Sequence, residues 1–211
     1  MRILRLLRKN TLVTAVFQTV IWISKMVFGG KLGVPPAWIK RRYLLSLLTE
    51  FKPEQFIETG TYLGQTTKLV ASRFPELFID TIEIDHYLFL NAQSNLTSYS
   101  PRIKVWHGDS KYILEDAIAS RQCNRILFWL DGHFSNGLTS LGESETPLLD
   151  ELQIISSYFA LTKKVFFIVI DDFHEISINA SYPDWIQIEA FALQNSCKVR
   201  TRWNTIVLFK E

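Results

Sequence analysis

The first 49 residues of this 211-residue chain contain no acid. They carry nine bases: Arg2, Arg5, Arg8, Lys9, Lys25, Lys31, Lys40, Arg41 and Arg42. From Glu50 onward there are 14 bases against 21 acids, a net of −7. That asymmetry predicts a basic arm for an anionic surface or substrate, attached to an acidic body. Cysteine is also scarce. Cys123 and Cys197 stand alone, in no metal-type spacing, which excludes a disulfide framework and fits a reducing compartment. There is no internal repeat and no low-complexity tract. With 47% hydrophobic and 13% aromatic residues the chain has enough apolar matter for a sizeable core, and its composition excludes disorder.

The chain also lacks a clean apolar run of the ~20 residues that a membrane span needs. Residues 11–28 come nearest, with Leu12, Val13, Val16, Phe17, Val20, Ile21, Ile23 and Val27, but Gln18 and Lys25 interrupt them. A signal peptide would need a small-x-small cleavage site, and Ser24-Lys25-Met26-Val27 offers none. The polar positions Thr11, Thr14, Gln18 and Lys25 fall roughly on one face at helical spacing, which predicts one amphipathic helix with a wide apolar face. Three readings of it stay open: a lid packed on the domain, an interfacial membrane helix formed by residues 1–28, or an uncleaved anchor. After Gly29-Gly30, Gly33 and Pro35-Pro36, a helix is expected over 38–51 with Leu44, Leu45, Leu47 and Leu48 inward, and Pro53 ends it. The expected division is a helical extension, 1–52, and a main domain, 53–211.

The main domain is organised around Phe56-Ile-Glu-Thr-Gly-Thr-Tyr-Leu-Gly-Gln-Thr-Thr67. An apolar run ends in Glu58, Gly60 and Gly64 supply a tight turn, and a helix starts near Gln65 with its free N–H groups toward a ligand. Such a loop at the carboxyl end of a first parallel strand is where α/β folds bind nucleotide-like cofactors, although Gly-x-x-x-Gly also occurs in purely structural turns. Strands then alternate with helices. Strands are expected at 77–84, 103–106, 126–130 and 165–170, and helices at 87–96, 111–120, from 146, and at 185–194. Thr146 is expected to cap its helix, with Pro147 at the first position. A hairpin over 197–202 and 205–209 closes the chain. The fold class is α/β: a Rossmann-like, doubly wound, mostly parallel seven-stranded sheet with a C-terminal antiparallel hairpin and an N-terminal helical extension.

Each strand delivers polar residues at its carboxyl end: Glu58, Glu83 with Asp85, Asp109 with Ser110, Asp131 with His133, and Asp171 with Asp172. These ends share one edge of an open α/β sheet, where ligands bind. A carboxylate ending the second strand can accept hydrogen bonds from both hydroxyls of a ribose and would repel a phosphate there. The glycine loop lacks Gly-Lys-Ser/Thr, which excludes a P-loop. With Tyr62 between the glycines and Glu58 beside them, it suits a pyrophosphate poorly. A cofactor with a ribose and a positive centre fits better.

These residues resemble the class I S-adenosylmethionine-dependent methyltransferases, from about Pro53 to the C-terminus. Glu58-x-Gly60-x-x-x-Gly64 matches the family's first motif, acid-x-Gly-x-Gly-x-Gly, with Tyr62 in place of the middle glycine. Thr81-Ile-Glu-Ile-Asp85 is similar to the second-strand motif of catechol O-methyltransferase-like enzymes, which gives Glu83 the ribose ahead of Asp85. Gly108-Asp109-Ser110 matches the adenine-contacting turn. The cofactor set implied is Glu58, Gly60, Thr61, Tyr62, Gly64, Glu83, Asp109, Ser110 and Asp131.

Asp131 with Asp171 and Asp172 also resembles the metal ligands of metal-dependent O-methyltransferases, of the catechol type and the antibiotic-sugar type. Three carboxylates on adjacent strand ends suit Mg²⁺ or another divalent cation, which would lower the pKa of a bound hydroxyl. The alternative is that Asp171 and Asp172 cap the loop after a buried strand. His133 stands where the sugar enzymes carry an acid as base. Its imidazole would take a hydroxyl proton, with Asp131 beside it, or it is a surface-loop histidine. His174, His107 and His86 are lesser candidates, the last as a helix-start residue. The activity implied is methyl transfer to a hydroxyl oxygen of a small molecule or sugar. The alternatives are a cofactor-binding module at a membrane surface, and another transferase on the same scaffold. There is no Asp/Asn-Pro-Pro-aromatic run for methylating a base nitrogen, and the sheet region is not basic enough for a nucleic-acid groove. The expected setting is cytoplasmic, with contact at the inner membrane face and homo-oligomerisation left open.

Overall fold

The computed structural model describes residues 16, 19, 20, 22, 23, 34–131, 146–162, 164–177, 179 and 182–210. In chain order the elements are α1 (Ala37–Phe51), β1 (Gln55–Thr59), α2 (Gln65–Arg73), β2 (Phe78–Glu83), α3 (His86–Leu96), β3 (Ile103–His107) and α4 (Ser110–Ala119). There follow β4 (Arg125–Leu130), α5 (Leu148–Ala160), β5 (Val165–Ile170), α6 (Trp185–Gln194), β6 (Lys198–Arg202) and β7 (Thr205–Phe209). The strands form one seven-stranded sheet in the order β3-β2-β1-β4-β5-β7-β6. β1 to β5 are parallel, and β7 enters antiparallel between β5 and β6. This is the expected Rossmann-like architecture, down to the terminal hairpin.

Strand periodicity sorts the core onto the two sheet faces. On β4, Ile126, Phe128 and Leu130 join one apolar cluster, with Leu114 and Ile118 of α4, Leu152 and Ile155 of α5 and Ile188 of α6. Leu127 and Trp129 join the other, with Leu44, Leu47, Leu48 and Phe51 of α1 and Val70 of α2. The central strands are therefore buried on both sides, which explains why they read as continuous apolar runs. Leu45 is half-buried at the margin of its cluster.

α1 follows Pro36 and ends at Lys52, which takes a left-handed conformation. Ahead of it Val16, Thr19, Val20, Trp22 and Ile23 are helical. Trp38 Nε1 donates to Thr19 Oγ1 at 2.9 Å, and the Trp22 ring lies 5.8 Å from that of Trp203. The other residues of the expected amphipathic helix lie outside the described set. Among the described residues no helix is long and apolar enough to cross a membrane. One expectation shifts by a residue: α5 begins at Leu148 with Pro147 as its N-cap, while Thr146 Oγ1 still accepts from the Leu148 N–H at 3.3 Å.

Candidate functional site

Backbone bonds between neighbouring strand ends align the polar residues along one edge. The Gly60 N–H donates to Ile82 O at 3.0 Å, Gly108 to Glu83 O at 3.0 Å, Asp131 to Thr59 O at 3.2 Å and Asp171 to Leu130 O at 3.0 Å. The glycine loop turns by three left-handed residues, Gly60 at φ 85°, Tyr62 at φ 50° and Gly64 at φ 71°. Tyr62, where the resembling motif has glycine, adopts the positive φ that glycine would. Gly64 is the N-cap of α2 and, having no side chain, offers no cap bond, so the first N–H groups of this helix lack an intrahelical partner at the edge.

Glu58 lies beneath the loop, 2% exposed. Its Oε2 accepts from Thr81 Oγ1 at 2.9 Å and from Thr67 Oγ1. Burial pushes its carboxyl up to about 7, against the pull of those two hydroxyls and Arg41. Glu83 ends β2, where Oε2 accepts from the Tyr62 N–H at 2.7 Å and Oε1 from the Asp85 N–H at 3.0 Å. Burial raises its pKa as well. Asp85 is spent differently: its Oδ1 caps α3 by accepting from Tyr87 and Leu88 N–H, each at 2.9 Å. Asp109 likewise caps α4 through the Lys111 N–H at 3.1 Å, and Ser110 follows it, buried. His86 opens α3, and its ring lies 4.9 Å from that of His107.

Farther along the edge a cavity is lined by Asp131, Thr146, Glu151, Asp171 and Tyr182. Asp171 Oδ1 accepts from the Asp172 N–H at 2.7 Å, and Asp172 Oδ1 accepts from Asn204 Nδ2 at 3.2 Å. Into this group comes Lys40 of α1, its Nζ 2.6 Å from Asp171 Oδ2 and 3.3 Å from Asp172 Oδ1. Burial lowers the amine's pKa, but Asp171, Asp172 and Asp131 outweigh it and hold the group above its usual value. Asp171 is pushed up by burial and by Asp131, with Lys40 opposing. Next to it, Arg41 bonds Gln65 Oε1 at 3.0 Å and Thr66 Oγ1 at 3.3 Å, at the start of α2.

The divalent-metal expectation therefore meets a donor set that does not fit. Among the described residues no three His, Cys, Asp or Glu side chains are grouped to hold a metal ion. Asp171 and Asp172 hydrogen-bond the Asp172 N–H and Asn204 after β5, and they also pair with an ammonium group. His133 and residues 134–145 lie outside the described set. His174 contacts Asn204 Oδ1 through Nδ1 at 3.2 Å and Glu175 Oε1 through Nε2 at 3.0 Å.

Sequence reasoning missed Lys40, Arg41, Glu151 and Tyr182. The first two belong to the acid-free N-terminal segment, yet both turn inward to the chain's own site. Glu151 is 1% exposed, its pKa pushed to about 7 by burial against hydrogen bonds from Ser110 and Thr59, and its Oε1 has no partner among the described residues. Its signal was present, because it falls with Leu148, Leu152 and Ile155 on the apolar stripe of α5.

The strand order, with the glycine turn at the end of β1, gives a Rossmann-like fold. Several solved structures share it. One from Staphylococcus aureus, provisionally assigned as a caffeoyl-CoA O-methyltransferase, is 12% identical with a TM-score of 0.54 and covers 82% of this chain and 83% of its own. The O-methyltransferase TomG from Streptomyces achromogenes, in complex with SAM, is 13% identical at TM-score 0.50, covering 90% and 87%. Precorrin-6y C5,15-methyltransferase from Geobacter metallireducens is 12% identical at TM-score 0.53, covering 85% and 91%. No protein-family model matches the sequence, and no curated protein matches it.

Proposed function

We propose that this chain is an S-adenosylmethionine-dependent methyltransferase acting on a hydroxyl oxygen of a small molecule or sugar. The observation that carries the reading is the Glu83 carboxylate at the end of β2, locked by the Tyr62 and Asp85 N–H groups beside the glycine turn. Each of its oxygens keeps a second lone pair for a ribose hydroxyl. Gly60, Thr61, Tyr62 and Gly64 would pass along the cofactor, and Asp109 and Ser110 would face its adenine. TomG, of the same fold, is solved with SAM and is an O-methyltransferase. The precorrin enzyme named above methylates carbon, so fold alone does not choose the acceptor atom.

When bound, the cofactor supplies an electrophilic methyl group on a sulfonium. The residues of this chain would do the rest. The carboxylates of Asp131, Asp171 and Asp172 outnumber the Lys40 ammonium, so the acceptor's end of the cleft would keep a net negative field, favouring a neutral or amine-bearing acceptor over a phosphorylated one. An acceptor hydroxyl loses its proton as its oxygen takes the methyl, and His133 is the group assigned to receive that proton.

The test is calorimetric binding of S-adenosylmethionine to wild type and to Glu83→Ala. Hydrogen bonds to a charged group contribute roughly 1.5–3 kcal/mol, so the variant should bind about ten- to a hundredfold more weakly. An Asp85→Ala variant should keep its affinity, because Asp85 serves as a helix cap. Equal affinity in wild type and a folded Glu83→Ala would remove the ribose role.

A further inference from the structure

Two of the strand-end acids that resemble a metal-ligand set, Asp171 and Asp172, already hold a cation. We propose that Lys40 is the resident cation of this site: its ammonium takes the place of a divalent ion, and the acids Asp131, Asp171 and Asp172 serve as its counter-charges. The proposal rests on reading this edge as the acceptor end of the cleft.

Three observations carry it. First, Lys40 Nζ touches Asp171 and Asp172 at once, and the three side chains are only 14%, 3% and 13% exposed. An ion pair this enclosed is screened little by salt. Second, the lysine is delivered by a rigid element. α1 is anchored by Leu44 and Leu47, both wholly buried, and by Arg41 on the start of α2. Lys40 is thus fixed over the β5 end as part of the fold. Third, three of the carboxylate oxygens that a metal would use already accept hydrogen bonds, two of them from the ammonium. Asp171 Oδ1 holds the Asp172 N–H and Asp172 Oδ1 holds Asn204 Nδ2, while Lys40 takes Asp171 Oδ2. Mg²⁺ demands near-octahedral oxygens at about 2.0–2.1 Å, and an ammonium in contact with two of its ligands would repel it.

The consequence is a site that keeps a positive charge beside the acceptor without metal supply. It also turns one base of the acid-free N-terminal segment to the chain's own acids.

The test is a Mn²⁺ titration of the full chain followed by electron paramagnetic resonance, which needs no turnover. Wild type should leave Mn²⁺ free through the high-micromolar range. Lys40→Met should gain one bound Mn²⁺ per chain, about tenfold or more tighter than wild type, because a contacting positive charge is gone. Adding Asp171→Asn should remove that gain. Tight Mn²⁺ in wild type that Asp171→Asn abolishes would overturn the proposal, and this arm decides even where Lys40→Met does not fold. A folded Lys40→Met that gains no Mn²⁺ would overturn it too. S-adenosylmethionine calorimetry on the same wild-type protein keeps the outcomes apart, since absent cofactor binding with free Mn²⁺ sinks only the methyltransferase reading.

Discussion

Glu151 illustrates how much a single buried carboxyl can impose on this protein. In the unfolded chain it ionises near its ordinary 4.5, whereas in the folded chain burial keeps it protonated up to about 7. Between those values the folded state holds the extra proton. The stability that Glu151 lends is therefore complete below about 4.5 and is lost as pH rises through 7. At 1.36 kcal/mol per pKa unit the loss is at most about 3 kcal/mol. Glu151→Gln carries no charge to bury. In urea denaturation it should match wild type within about 1 kcal/mol near pH 5 and be the more stable protein by about 1–3 kcal/mol near pH 8.5. A difference that does not change with pH would mean that Glu151 does not titrate in this window. Glu58 and Asp171 are raised as well, but both proteins contain them, so their contribution cancels in the comparison.

At the scale of elements, the turn between β1 and α2 is where backbone geometry and site coincide. Gly64 has φ 71°, and a Cβ there would stand 3.3 Å from Leu96 Cδ1 at the end of α3. A left-handed conformation costs a residue with a Cβ roughly 1–2 kcal/mol, so Gly64→Ala should lower unfolding free energy by about that amount. A denaturation midpoint equal to wild type would mean that the turn relaxes freely. Most of the elements were legible beforehand for a simple reason. A strand buried on both faces is a short apolar run, and here each run is bounded by an acid or a glycine. β5 and α6 coincide with their expected bounds, and β1, β2 and β4 differ only at their ends. Asp85 and Asp109 cap α3 and α4, a role that the sequence alone does not separate from ligand binding, because a cap and a binding residue look alike at a strand-to-helix junction. What the sequence could not reveal is Lys40 beside Asp171, 131 positions away. No local pattern records a pairing made only when α1 lies across the edge of a sheet.

At the scale of the whole molecule, α1 decides whether the N-terminal part is an appendage or a structural layer. Its Tyr43, Leu44, Leu47, Leu48 and Phe51 share one apolar cluster with Phe56 of β1, Trp129 of β4, Phe167 of β5 and Val207 of β7. The Phe51 and Phe167 rings stack with centroids 4.3 Å apart, and Arg200 of β6 holds Glu50 through two bonds of 3.0 and 3.1 Å. The helix therefore covers the centre of one sheet face, and the same placement sets Lys40 and Arg41 against the site. Leu47 is completely buried in that layer. Truncating a buried leucine to alanine costs about 2–5 kcal/mol, the larger values where the cavity cannot collapse. If α1 folds with the sheet, Leu47→Ala should shift the entire urea transition by that amount. Tryptophan fluorescence should follow it, since Trp129 shares the cluster, and circular dichroism should give the same midpoint. If α1 were a separately folding extension, the circular dichroism transition of the main domain would stay at the wild-type midpoint, with only a small early loss of helix. That second result would detach α1 from the core and, with it, Lys40 from its fixed place beside Asp171.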